Sequence, residues 1–369
     1  MPVPRRTDVS LVAQLEERSG LYDGLGTVDA ERLRSALLAR CFEGERTSEL
    51  LPFCLEQIDA GHDPVAVATA ARVLIDLPTA LPSDLPARLW RAIIRLRARD
   101  RQIAETPLFG GKPTTLLRQL ATALEFATRQ PSTDIVALGE VLRAARGEDS
   151  AALPSDVRRI LARLKPTAAS TGSSCCCETG DEEAATTPLP RPLNVPPWRL
   201  QLEDQDGRHL RFGDYFRRTR SVVAFFYTRC DSAEKCSLTI ANMAKLQRLV
   251  EANPDFADVR LAAFTYDPAF DTAARLRSYA LDRGWVFGER ARVLRTLRSI
   301  GPLISYFDLG VAYGPTTVNM HRIEVSVLGP QGRLLGRIAR RRWDPQDVVR
   351  LLEYGGMGCE PRRGEMGSN

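Results

Sequence analysis

Cys230 and Cys236 are the two side chains whose placement most suggests chemistry. Cys230 directly follows the apolar run Ser221-Val222-Val223-Ala224-Phe225-Phe226-Tyr227, and Cys236 stands where the next helix begins. Backbone N–H groups and the helix dipole at such a start favour thiolate over thiol. Two thiols held there make either a redox pair or a soft-metal site. Their spacing is too wide for the two-residue-spaced motif of ordinary thioredoxins. Three more thiols stand in a row at Cys175, Cys176 and Cys177, and Cys359 directly follows the Gly-rich stretch 355–358. Cys41 and Cys54 sit among Leu37, Leu38, Phe42, Leu50, Phe53 and Leu55, and read as small buried hydrophobes.

The elements that must position Cys230 and Cys236 are legible from Trp198 onward. A hairpin turns at Asp206-Gly207, and 221–227 has the uninterrupted apolar character of a buried strand. Leu238 to Ala252 places Ile240, Met243, Leu246, Leu249 and Val250 on one helical face. A strand is expected over 259–265, helices over 271–283 and 291–300, a hairpin over 323–328 and 334–340, and a closing helix over 345–353. This βαβ-then-ββα order is that of an α/β thioredoxin-like domain.

Residues 1–165 read as an all-α domain with no strand. Helices are expected over 28–42, 48–60, 64–74, 84–104, 114–129, 134–146 and 155–164. Asp63-Pro64 is a start signal, with Asp as cap and Pro at the first helical position, and Gly61 closes the helix before it. Stacked helix pairs of this kind resemble HEAT or armadillo repeats, whose use would be docking a protein partner. Residues 166–197 are small, acidic and Pro-rich, and read as a flexible linker carrying the triple cysteine. Residues 357–369 read as a flexible tail.

Phe225-Phe226-Tyr227-Thr228-Arg229-Cys230 and Cys236-Ser237-Leu238-Thr239-Ile240-Ala241-Asn242-Met243 resemble the copper-binding motif region of the SCO/SenC family. Thr265-Tyr266-Asp267-Pro268 with Asp271-Thr272 is similar to that family's strand-end Asp-Pro and following Asp-Thr. Asn319-Met320-His321, leading to Gly329-Pro330-Gln331-Gly332-Arg333, resembles the segment with its single His ligand. The similarity spans about residues 200–353 and none of the first 165. It implies a thioredoxin-like fold and one copper ion bound by Cys230, Cys236 and His321. His321 is one of three histidines, and two sulfur donors with one nitrogen suit Cu(I) and tolerate Cu(II). Zinc could also use Cys₂His with a fourth ligand. The chain departs from the family in two places: five residues, 231–235, separate the cysteines where the family has three, and Met320 replaces the family's Asp. That Met320 is either an extra thioether ligand or core.

The leading function is therefore SCO-like copper delivery or copper-dependent thiol redox chemistry, with a copper donor or client protein docking on the helical domain. The alternative is a metal-independent thiol–disulfide oxidoreductase or peroxiredoxin-like enzyme using Cys230 and Cys236. In the copper reading, Cys175–Cys177 form a mobile arm that exchanges Cu(I) or a disulfide with Cys230 and Cys236, and Cys359 is a similar late thiol. With 44% hydrophobic and 26% charged residues the chain is a globular one. No uncharged apolar stretch is long enough to span a membrane, and no signal-peptide core follows Met1–Arg6, so the expected compartment is the cytoplasm. Net charge is +1 over residues 1–165, −3 over 166–197 and +7 over 198–369. The basic residues are nearly all Arg, a compositional habit rather than a nucleic-acid-binding face.

Overall fold

The structure, a computed structural model, describes residues 10–44, 47–103, 107–164 and 196–356. Two compact units divide it. Among the described residues, one comprises 10–164 with Gly310–Arg322 and Arg340–Arg342, the other 196–309, Ile323–Ala339 and 343–356.

The first unit is helical: α1 (Thr27–Glu43), α2 (Leu51–Ala60), α3 (Pro64–Ile75), α4 (Leu85–Leu96), α5 (Leu116–Ala127), α6 (Ile135–Arg146) and α7 (Ser155–Leu161). Asp63 caps α3 as its sequence suggests, its carboxylate accepting from the Val65 and Ala66 N–H groups at 2.9 and 3.1 Å. Gly61 follows α2 but at φ −66°, not in the left-handed conformation. Glycine is needed there for space, because a Cβ would lie 2.6 Å from the Gln57 carbonyl oxygen and 2.8 Å from Val67 Cγ2. The helix expected over 84–104 ends earlier, and Gln102–Ile103 pairs instead with Thr114–Thr115 in a two-residue antiparallel ladder. Residues 310–322 group with this unit because Ala312 and Met320 are buried in its apolar cluster.

The second unit begins with a hairpin of β1 (Gln201–Asp204) and β2 (His209–Arg211), turned at Gly207 with φ +76°. Then come β3 (Ser221–Phe226), α8 (Leu238–Ala252), β4 (Arg260–Thr265), α9 (Ala273–Leu281), β5 (Ala291–Thr296) and α10 (Gly301–Phe307). The small hairpin of β6 (Val311–Tyr313) and β7 (Val318–His321) precedes β8 (Glu324–Leu328), β9 (Leu334–Ala339) and α11 (Pro345–Gly356). The seven-stranded sheet runs β9-β8-β3-β4-β5-β1-β2. Its core is a parallel β3–α8–β4 unit beside an antiparallel β8–β9 pair that leads into α11, which is the thioredoxin-like arrangement. All six residues of β3 are buried, as a central strand covered on both faces requires.

The 291–300 segment corrects the sequence expectation. Ala-Arg-Val-Leu-Arg-Thr has helix-forming residues, yet it is β5, paired parallel to β4 and antiparallel to β1. The Gln205 side-chain oxygen also accepts from the Val293 N–H at 3.1 Å. Sheet pairing on both sides outweighs the local preference. Among the described residues, no helix is long and apolar enough to cross a membrane.

Candidate metal centre

Strand β3 delivers the chain to the site, and the turn after it presents Cys230. The loop is held from beneath by Asp271, which is fully buried. Its carboxylate accepts from the Thr228 N–H at 3.1 Å, from the Thr228 hydroxyl and from the Thr265 hydroxyl. Burial pushes the Asp271 carboxyl up, and the threonine bonds oppose that rise. Next to it, Asp267 pairs with Arg229, whose guanidinium lies 4.0 Å from the Phe270 ring centre, with Arg275 at 4.1 Å from the same ring. The Thr265–Thr272 motif therefore acts as the clamp under the cysteine loop.

Cys236 does not sit at an α-helical N-terminus. It lies inside a π-helical turn, Ala233–Ser237, that runs into α8. A π turn takes up an extra residue within a helix, and such turns concentrate at functional sites. Part of the five-residue spacer is thus wound into the helix, which keeps Cys236 facing inward at 1% exposure. Burial also reverses the expected ionisation. It pushes the Cys236 thiol well above its ordinary value, and the neighbouring Cys230 adds to the shift.

The Cys230 sulfur lies 3.8 Å from the Ser232 carbonyl oxygen. Tyr227 is hydrogen-bonded to Cys230, and burial followed by the charge of the two sulfurs raises its phenol. Tyr279 is raised in the same way, stacks on Phe226 at 5.5 Å, and lies under the Arg283 guanidinium at 3.4 Å. Arg283 in turn donates to Ser237 Oγ at 3.0 Å. Neither tyrosine is evident as part of the site in the sequence. The clue was available for Tyr227, the last residue of the buried run and three before Cys230.

His321 closes β7 and is 5% exposed. It stands three residues before Glu324, the first residue of β8, so the chain itself ties it to a strand paired with β3. Its Nδ1 is 3.1 Å from the Arg322 carbonyl oxygen. In the tautomer that donates this bond, the ring's lone pair is on Nε2. The donor atoms of Cys230, Cys236 and His321 all lie within 4.8 Å of one another. With metal–donor bonds of about 2.0–2.3 Å, two donors on one ion are separated by at most about 4.6 Å, so the trio closes on a single ion with a small inward movement of its side chains. Its two sulfurs and one imidazole nitrogen are a soft set suited to copper.

Met320 precedes His321 on the strand, where successive side chains face opposite ways, and it is buried in the apolar cluster of the helical unit. Cys41 and Cys54 are buried in that same cluster. Cys175, Cys176, Cys177 and Cys359 lie outside the described residues.

Residues 196–353 match the SCO1/SenC family model, and this part of the chain is a SCO/SenC-type thioredoxin-like domain. Solved structures similar to it include a putative electron transfer protein from Aquifex aeolicus VF5, at 20% identity and TM-score 0.39, covering 45% of this chain and 96% of that one. A SCO1/SenC family lipoprotein from Bacillus anthracis str. Ames has 21% identity and TM-score 0.38, covering 46% and 99%. Copper-bound ScoI of Bradyrhizobium japonicum has 19% identity and TM-score 0.35, covering 42% and 96%. No curated protein sequence matches the chain.

Proposed function

We propose that this is a SCO-like copper-binding protein in which Cys230, Cys236 and His321 hold one copper ion. The observation that carries this is the convergence of two thiols and one imidazole, buried or half-buried, in a SCO/SenC-type domain. Bound there, copper would supply a transferable soft ion and a one-electron redox centre. The chain's own groups do the rest: Asp271 holds the cysteine loop through Thr228, Tyr227 hydrogen-bonds Cys230, and burial of Cys236 and His321 excludes water. Delivery to a client and copper-dependent thiol redox chemistry are both open to such a centre. The helical unit is proposed as a HEAT-like dock for the copper donor or client. The proposed location is the cytoplasm, where the thiols stay reduced and ready for Cu(I); fractionation of cells expressing the full chain tests it.

A second reading, metal-independent thiol–disulfide exchange, is favoured by the hydrogen bond between the two thiols. A dithiol has no need of His321, so one substitution separates the readings. Protein purified under reductant should carry about one copper per chain, and His321→Ala should lose most of it while keeping its fold. Equal loading of the two proteins, or zinc in place of copper, would remove the copper assignment.

A further inference from the structure

The strand that carries His321 is held by residues some three hundred positions away in sequence, all within the helical unit. Asn319 Nδ2 donates to the Tyr22 and Leu25 carbonyl oxygens at 2.6 and 2.9 Å. The Gly24 N–H donates to the Tyr313 carbonyl at 3.1 Å. Gly314 is a glycine for the same reason, because a Cβ there would stand 2.6 Å from the Leu25 carbonyl oxygen.

Arg322, the residue after His321, is fastened on both its backbone and its side chain. Its N–H donates to the Gly310 carbonyl at 2.8 Å. Its side chain crosses Gly310 so closely that a Cβ on that glycine would overlap Arg322 Nε, at 1.8 Å. From there the guanidinium reaches Glu17, with Nε 3.5 Å from the carboxylate. The same Glu17, with no exposed surface, accepts from Arg340 at 2.6 and 2.7 Å and pairs with Arg34 at 2.5 Å. Glu56, 3.1 Å from Arg340 and 3.7 Å from Arg34, and Glu16, 2.5 Å from Arg340 and 3.9 Å from Arg322, belong to the same group. Burial pushes the Glu17 carboxyl up, but Arg340, Arg34 and Arg322 outweigh it and hold it well below the usual carboxylate range.

A buried ion group with several partners is geometrically unforgiving, since displacing one member strands another in a low dielectric. Arg322 therefore has little freedom, and its carbonyl is the group that Nδ1 of His321 meets at 3.1 Å. Partners of a ligand's second ring nitrogen orient the ring and commonly change metal affinity by about 10–100-fold.

We propose, resting on the copper reading above, that Glu17 and Asn319 are positioning residues for the third donor. Glu17 acts through Arg322 and Asn319 through the 22–25 turn, so the N-terminal segment sets how tightly copper is held. The segment spanning residues 16–25 thus gains a role in the metal chemistry that its own residue types do not announce. It also supplies a route by which anything that moves that segment would loosen His321.

The test uses the full-length protein with Glu17→Gln, Asn319→Ala and His321→Ala, each checked for fold by circular dichroism. In the metal-free state, imidazole nitrogen NMR should show His321 of the parent in one tautomer, protonated at Nδ1. Glu17→Gln and Asn319→Ala should show it averaged. Competition with a Cu(I) chelator should find both variants weaker by about tenfold, and the Cu(II) absorption spectrum should shift while the number of reactive thiols stays the same. If Glu17→Gln does not fold, Asn319→Ala, which removes two hydrogen bonds and no charge, decides the matter. Parental spectra and affinity in a folded Asn319→Ala protein, with His321→Ala still impaired, would overturn the positioning role alone. A His321→Ala protein that binds copper like the parent would overturn the copper reading and this proposal with it.

Discussion

The chain holds two described pairs of cysteines; Cys230 alone of the four is half-buried, and the pairs differ chiefly in what surrounds them. Cys41 and Cys54 lie in an apolar cluster of Leu, Phe and Ile side chains. Cys230 and Cys236 lie against an imidazole, two tyrosines, an arginine on one of those tyrosines, and a carboxylate-clamped loop. Burial raises the thiol of Cys54 and that of Cys236 alike. A depressed thiol pKa is thus not what marks Cys236. Convergence of other donors does, and in a soft-metal site the ion itself drives off the protons.

The sharpest way to break this contrast is to remove the sulfurs. Cys230→Ala or Cys236→Ala should cost more than roughly 100-fold in Cu(I) affinity, beyond what a group behind a ligand supplies. Cys41→Ala and Cys54→Ala should leave affinity unchanged. Chelator competition on the four variants checks both halves.

Next in size is the clamp. Asp271→Ala leaves Thr228 and Thr265 without their carboxylate, at a cost of about 2–3 kcal/mol by urea unfolding. Copper affinity should fall with it, because the cysteine loop loses its hold. Cys54, by contrast, lies in the apolar cluster of the helical unit. There the expected loss comes from a polar intrusion: Cys54→Ser buries a hydroxyl among apolar groups and should cost about 1–3 kcal/mol with no change in copper binding.

The smallest effect is a pH dependence. The folded-state pKa of Cys54 is raised by burial, then by the charge of Cys41, so the folded chain keeps a proton that the unfolded chain releases above about pH 8.5. Stability attached to this thiol is complete below that pH and declines as pH rises, by about 1.4 kcal/mol per unit. Metal-free Cys54→Ala should show a shallower decline between pH 8.5 and 10 than the parent does.

The same contrast explains what the sequence revealed. Cys230, Cys236 and His321 were legible because Cys230 directly follows a strong apolar run, Cys236 opens the next amphipathic helix, and the motif segments around all three resemble one family. Strand β3, α8 and the β8–β9 hairpin follow from periodicity that sheet and helix both reinforce. Strand β5 was not legible, since its residues prefer helix and only its neighbours make it a strand. The roles of Asp271 and Glu17 were hidden for a different reason. Each acts by contact across tens or hundreds of residues, and no local spacing encodes such a contact. The π turn at 233–237 was equally out of reach, because the longer spacer reads as a loose loop until its winding is seen.

The copper chemistry is assigned to one centre built from Cys230, Cys236 and His321. Copper K-edge X-ray absorption on the Cu(I)-loaded full chain, run beside His321→Ala, tests that directly. The parent should show two sulfur scatterers and the multiple-scattering pattern of one imidazole, and His321→Ala should keep the sulfurs and lose the imidazole. An imidazole pattern that survives in His321→Ala, or a parent spectrum without sulfur, would contradict the centre.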